Sequence, residues 1–130
     1  MPEKKKILLI DDEKDFCFFA KKNLEATGEF EVITANRGEE GINLAREKKP
    51  DLILLDIVMP KMMGEDVAAA LTNGPETKNI PLVFLTAQVT KEEIGIDSIK
   101  EIGGHLFTAK PLATEKLVSS IKTILGSKGK

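Results

Sequence analysis

The chain has 130 residues, 42% of them hydrophobic and 31% charged, with a net charge of -2 and one cysteine. That length holds one packed domain and no second core. The near-neutral charge offers no basic excess for nucleic-acid phosphates, and a lone cysteine rules out an internal disulfide or a cysteine-based metal site. No apolar run reaches membrane-spanning length and no charged-then-apolar leader opens the chain, so no membrane contact and a cytoplasmic location are expected.

Behind a small solvated cluster, Lys4-Lys5-Lys6, the run Ile7-Leu8-Leu9-Ile10 ends on Asp11-Asp12-Glu13. This is the pattern of a strand buried on both faces, with acids at its carboxyl end. From Asp15 to Thr27 the positions Phe16, Phe19, Ala20, Leu24 and Thr27 predict one apolar helix face, and Gly28 stands where a helix ends. Cys17 reads as a buried or half-buried thiol. Phe18 falls on the opposite face, as a partner contact or as a single exposed apolar residue. Phe30 to Ala35 is a more polar strand that suits a sheet edge, and Gly38 to Lys48 is a second helix contributing Ile42, Leu44 and Ala45 before Pro50 stops it.

Leu52-Ile53-Leu54-Leu55 is the central buried strand, with Asp56 at its carboxyl end and Pro60 and Gly64 fixing a tight loop beyond it. A short helix carrying Val67, Ala68 and Leu71 follows and stops near Asn73-Gly74-Pro75. Ile80 to Leu85 is a fourth strand, with Thr86 at its carboxyl end. Thr90 and Glu93 form a capping box that opens a helix from Lys91 to Ile102, which Gly103-Gly104 ends. Leu106 to Ala109 is a fifth strand before Lys110-Pro111. The last helix, Thr114 to Leu125, has the stripe Leu117, Val118, Ile121, Ile124 and Leu125, with Gly126 as its cap and a frayed tail behind.

Five strands alternating with five helices predict an α/β fold: one domain over residues 1–130, ordered from about 5 to 126, with a parallel sheet covered on both faces. In the flavodoxin-like, doubly wound (βα)5 sandwich of strand order 2-1-3-4-5, ligands bind at the carboxyl ends of the first and third strands. Those ends carry Asp11, Asp12 and Asp56, and the same rim receives Thr86 and Lys110. Carboxylates about 5 Å apart repel by roughly 3 kcal/mol per pair at an effective dielectric near 20, so either one is protonated or a cation sits among them. With only oxygen ligands, Mg²⁺ that keeps waters and an open position fits better than a caged Ca²⁺ or a zinc. The set suits phosphoryl transfer to Asp56 as nucleophile, with the Lys110 ammonium, the Thr86 hydroxyl and Mg²⁺ neutralising the phosphoryl oxygens. Each residue has a plainer reading taken alone. Asp12 can N-cap the first helix, Thr86 can be an ordinary strand residue, Lys110 a surface charge and His105 a structural or exposed group. Their joint placement on one rim favours the chemical reading.

At these residues the chain resembles the receiver domains of two-component response regulators, from Lys5 to about Gly126. The resemblance rests on Asp11-Asp12, on Asp56-Ile57-Val58-Met59-Pro60 with Gly64 beyond, on Thr86-Ala87, and on Phe107 three residues before Lys110-Pro111. It implies Asp56 as phosphoacceptor, and Asp12, Asp56 and the Val58 carbonyl as direct Mg²⁺ ligands with Asp11 acting largely through water. It also implies Thr86 and Lys110 as phosphoryl contacts, a cis Lys110-Pro111 bond, and Thr86 and Phe107 as switch residues. Met63 stands where an aspartate is frequent in the family. The Thr86 to Lys110 interval is longer than usual, which implies a shifted or extended fourth helix, and Val58 and Gln88 occupy positions that tune acyl-phosphate lifetime.

The function so implied is a phosphorylation-activated switch of a phosphorelay. A sensor histidine kinase or phosphotransfer protein donates to Asp56, and the signal leaves through the fourth helix, fifth strand and fifth helix toward an output protein that the sequence does not name. A homodimer formed on phosphorylation stays open. No effector domain follows Gly126, so the chain acts through protein contacts or belongs to a longer regulator. The rival readings are a receiver-like binding module that works without phosphorylation and a Mg²⁺-dependent phosphatase. The intact acidic set argues against the first. Against the second, Val58 stands where a general acid would be needed, and turnover of an external substrate is not expected.

Overall fold

The computed structural model describes residues 4–57, 64–86, 100–102, 105–109 and 114–128. Expectations for Val58, Met59, Pro60, Met63, Ala87, Gln88, the 90–99 part of the predicted helix, Gly103-Gly104 and Lys110-Pro111 lie outside the described residues. In chain order the elements are β1 (Lys5–Ile10), α1 (Lys14–Ala26), β2 (Phe30–Ala35), α2 (Gly38–Lys48), β3 (Leu52–Asp56), α3 (Gly64–Asn73), β4 (Leu82–Thr86), β5 (Lys100–Ile102), β6 (His105–Ala109) and α4 (Thr114–Lys128).

Three apolar runs, in β1, β3 and β4, build the centre of the sheet because they bury both faces. Ile7, Leu9, Leu52, Leu54, Val83 and Leu85 pack with Cys17, Ala20, Leu24 of α1 and Leu117, Val118, Ile121 of α4. Their alternates Leu8, Ile10, Ile53, Leu55 and Phe84 pack on the other face with Ile42, Ala45, Val67 and Leu71 from α2 and α3. The period of two in the strands thus splits one hydrophobic run into two cores. The sheet order is β2-β1-β3-β4-β6-β5. The first five strands of that order run parallel, which is the expected 2-1-3-4-5 arrangement with β6 as the fifth parallel strand.

The sixth strand corrects the reading of Lys91 to Ile102 as a helix up to its last residue. Lys100–Ile102 is a strand, paired antiparallel to β6 with Ile102 opposite His105. In the sequence a Gly-Gly dipeptide signals a two-residue hairpin as readily as a helix stop, so the residues before it read as a strand as well as a helix end. The consequence is an edge strand that covers β6.

Smaller corrections have local causes. Phe19 is 57% exposed beside Phe18 at 62%, instead of belonging to the buried face. At 100° per residue the stripe centres on Cys17, Ala20 and Leu24, and Phe19 lies about 130° from that centre, as far round as Phe18 on the other side. β4 begins at Leu82 and not at Ile80, since Pro81 has no N–H for the ladder and contributes only its carbonyl, to Ile53 N at 2.9 Å. α4 runs through Gly126 to Lys128. Gly28, with φ of 78°, ends α1 as expected. Asn73-Gly74-Pro75 ends α3, where the buried Thr77 hydroxyl donates to Leu71 O at 2.6 Å.

Candidate functional site

β1 and β3 are neighbours, and their register pairs Ile10 with Leu55. The next residue on each strand is an aspartate, so Asp11 and Asp56 emerge side by side where the sheet's central strands end. Backbone bonds extend the ladder past both: Asp11 N donates to Ala35 O at 2.9 Å and Ile57 N to Leu85 O at 3.2 Å. Asp11 is 0% and Asp56 6% exposed, and Asp12 is half-buried. One carboxylate oxygen from each of the three lies within 4.8 Å of the others.

Asp11 and Asp12 divide their work. The Asp11 Oδ1 accepts from Glu13 N at 2.9 Å, which fixes both its rotamer and the turn into α1. The N-cap of α1 is Glu13, with no side-chain cap bond. Capping therefore does not explain Asp12, the plainer alternative considered for it. Its carboxylate faces the other two acids.

At the start of α3 the Gly64 N–H donates to Ile57 O at 2.7 Å. A Cβ there would lie 2.4 Å from Asp56 O and 2.6 Å from Ile57 Cα. Gly64 is read in the sequence as a loop glycine, but its role is close approach of α3 to the backbone that carries Asp56. No pattern in one sequence distinguishes these two uses.

Thr86 is the last residue of β4, in register with Ala109 of β6, and Lys110 is the next residue after Ala109 in the chain. Thr86 thus stands at the same rim as the acids, while Lys110 and Val58 are outside the described residues. Phe107 on β6 is half-buried and stacks on Phe84 with ring centroids 5.4 Å apart and planes at 29°. Both rings line a cleft of about 610 Å³ together with Ile57, Ala68, Leu82 and Leu106. His105 begins β6.

Among the described residues the ligand atoms grouped here are three carboxylate oxygens, which make a hard site. Their mutual repulsion, about 3 kcal/mol per pair at an effective dielectric near 20, is what a divalent cation would relieve. The residues present therefore fit Mg²⁺.

Residues 7–122 match the response regulator receiver domain, and the chain belongs to that family. Such domains are phosphorylation-activated switches of two-component signal transduction. The chain is similar to the polar-differentiation response regulator DivK of Brucella anthropi, 31% identical over 122 residues that cover 94% of this chain and 97% of that protein. It is also similar to the alkaline phosphatase synthesis transcriptional regulatory protein PhoP of Bacillus subtilis, 36% identical over 93% of this chain but only 48% of PhoP. The chain thus spans about half the length of that relative. Among solved structures, chemotaxis protein CheY4 of Vibrio cholerae superposes with a TM-score of 0.77 at 26% identity, covering 94% of this chain and 99% of that one. Among the described residues no helix is long and apolar enough to cross a membrane.

Proposed function

We propose that Asp56 is the phosphoacceptor of this switch and that Asp11, Asp12 and Asp56, with the Val58 carbonyl, hold the Mg²⁺ it needs. The observation that carries the reading is the convergence of three carboxylates within 4.8 Å at the ends of β1 and β3. Bound there, Mg²⁺ supplies charge neutralisation for the phosphoryl oxygens. A carboxylate oxygen of Asp56 attacks phosphorus in line with the leaving group. An acyl phosphate forms as the P–N bond of a donor phosphohistidine breaks, and the freed imidazole nitrogen takes a proton from solvent. The 6% exposure of Asp56 confines that attack to the rim and limits water's access to the product. Thr86 and Lys110 contact the phosphoryl group. As the Thr86 end of β4 adjusts, Phe107 repacks in the cleft it shares with Phe84, and the signal leaves through the face carried by the helix predicted from Lys91, β6 and α4. This is self-modification, with no external substrate turned over, in one cytoplasmic receiver domain over residues 1–130 with its core from about 5 to 126.

Incubation with acetyl phosphate, read by intact-protein mass, tests the reading. One phosphoryl group is expected with Mg²⁺ and none after chelation. No addition under either condition overturns it in favour of a binding module that works without phosphorylation.

The donor is a sensor histidine kinase or phosphotransfer protein, and its histidine must come within bonding distance of Asp56. Its surface therefore lies over the rim where α1 starts. Phe18 and Phe19 are only about 6–8 Å further along α1 at 1.5 Å per residue, their rings edge to face at 5.4 Å. A donor that covers this pair gains two aromatic contacts of the kind that dominate interfaces. Replacing both by serine is expected to slow transfer from a phosphorylated kinase about 10- to 100-fold and to leave the acetyl phosphate rate within about twofold. Equal slowing with both donors would place the defect in the site instead of the docking face.

A further inference from the structure

Asp11 approaches the metal site through its side chain, but its carbonyl is held from behind. The Asn36 Nδ2 donates to Asp11 O at 2.9 Å, and the Cys17 thiol donates to the same oxygen at 3.3 Å. The two donors also touch, with Asn36 Nδ2 3.5 Å from Cys17 Sγ. A backbone carbonyl only accepts, so the contact fixes which end of the Asn36 amide faces it. Asn36 is itself anchored, because its N–H donates to Glu40 Oε1 at 3.0 Å across the first turn of α2. It follows directly on β2, whose last residue, Ala35, receives the Asp11 N–H. Asp11 is thus held by its own N–H, on Ala35 of β2, and by its own C=O, on Asn36 and on Cys17 of α1, so the peptide units on either side of it are both anchored.

We infer that Asn36, backed by Glu40 and assisted by Cys17, is a positioning residue for metal binding. It clamps the β1–α1 turn so that Asp11 and Asp12 stay aimed at Asp56 despite their mutual repulsion. The inference rests on the Mg²⁺ reading of the site. Its physical basis is that clustered carboxylates have a Coulombic incentive to turn apart toward water, and rotation of the Asp11-Asp12 peptide is one route by which the pair would do so. Rotation would break the bonds to its carbonyl, and Asn36 is placed to resist it. Outer hydrogen-bond partners of this kind change metal affinity by about 10- to 100-fold when removed.

The test is Mg²⁺ binding measured by titration calorimetry well below the melting transition, with thermal melts in parallel. Asn36→Leu keeps the shape of the side chain and loses both amide donors; it is expected to raise the Mg²⁺ dissociation constant about tenfold. Glu40→Ala changes only an exposed helix position, so folding is not at risk, and a rise of about threefold is expected. Cys17→Ser retains a donor to the Asp11 carbonyl and is expected to bind within about twofold of the wild type. A purely structural Asn36 would lower the melting temperature and leave the dissociation constant of the folded protein unmoved. Wild-type binding with both Asn36→Leu and Glu40→Ala within about twofold of it overturns the clamp alone. A wild type that takes up no Mg²⁺ overturns the clamp and the magnesium reading together.

Discussion

An Asp56→Asn variant is expected to take up no phosphoryl group from acetyl phosphate and, in metal-free buffer, to melt at a higher temperature than the wild type. The first part follows from chemistry: an amide oxygen carries no full negative charge and forms no stable acyl phosphate. The second follows from the geometry, because Asp56 is nearly buried within 4.8 Å of two other carboxylates. At an effective dielectric near 20 each pair repels by about 3 kcal/mol, and the half-buried Asp12 is screened toward the much smaller value in water. A net gain of about 1–2 kcal/mol is expected after these reductions, or several degrees for a domain of this size. Mg²⁺ should reverse the order. The wild type gains about 2.7 kcal/mol at a hundredfold excess over its dissociation constant, while the variant, with one charge fewer, gains much less. Differential scanning calorimetry with and without Mg²⁺ reads both effects. A variant that melts below the wild type in metal-free buffer would show that Asp56 is held by attractions stronger than the acidic repulsion, and would remove the electrostatic argument for a cation.

The acids were legible in the sequence because β1 and β3 are buried on both faces. A four-residue apolar run such as Leu52 to Leu55, bounded by Pro50-Asp51 and Met59-Pro60, is too short for a helix and reads as a doubly buried strand. The residue that follows is placed at the rim by topology. What stayed hidden depends on angles and contacts that no run encodes. Phe19 is apolar yet lies about 130° from the centre of the buried stripe of α1, and its residue type alone does not tell an exposed ring from a buried one. Lys100–Ile102 was absorbed into a helix because the capping box of Thr90 and Glu93 specifies where a helix starts but not where it stops. Asn36 carries no signal beyond following a strand, since its amide matters only through the Asp11 carbonyl that the β1–β2 register brings to it. Thr86 and Phe107 were placed correctly on their strands, at the carboxyl end of β4 and in the middle of β6.

Gly64→Val is expected to damage the site more than any other substitution of a residue that carries no functional group. Gly64 opens α3, and a Cβ at this position would meet Asp56 O at 2.4 Å, Ile57 Cα at 2.6 Å and Ile57 O at 2.9 Å. All three are backbone atoms, so no rotamer change relieves the overlap. Either α3 retreats, giving up the packing of Val67 and Leu71 against β3, or the end of β3 moves and takes Asp56 with it. The first route loses stability by about 1–3 kcal/mol, typical of an overpacked position. The second displaces the nucleophile by the order of an ångström, which is enough to reduce an in-line transfer about a hundredfold. Rates of acetyl phosphate uptake at saturating Mg²⁺, measured where the melting curve shows the variant folded, separate the two routes. Slow uptake by the folded variant means that β3 has yielded and that Gly64 sets the position of Asp56. Wild-type uptake with a lowered melting temperature means that α3 has yielded, and Gly64 is then needed for packing alone.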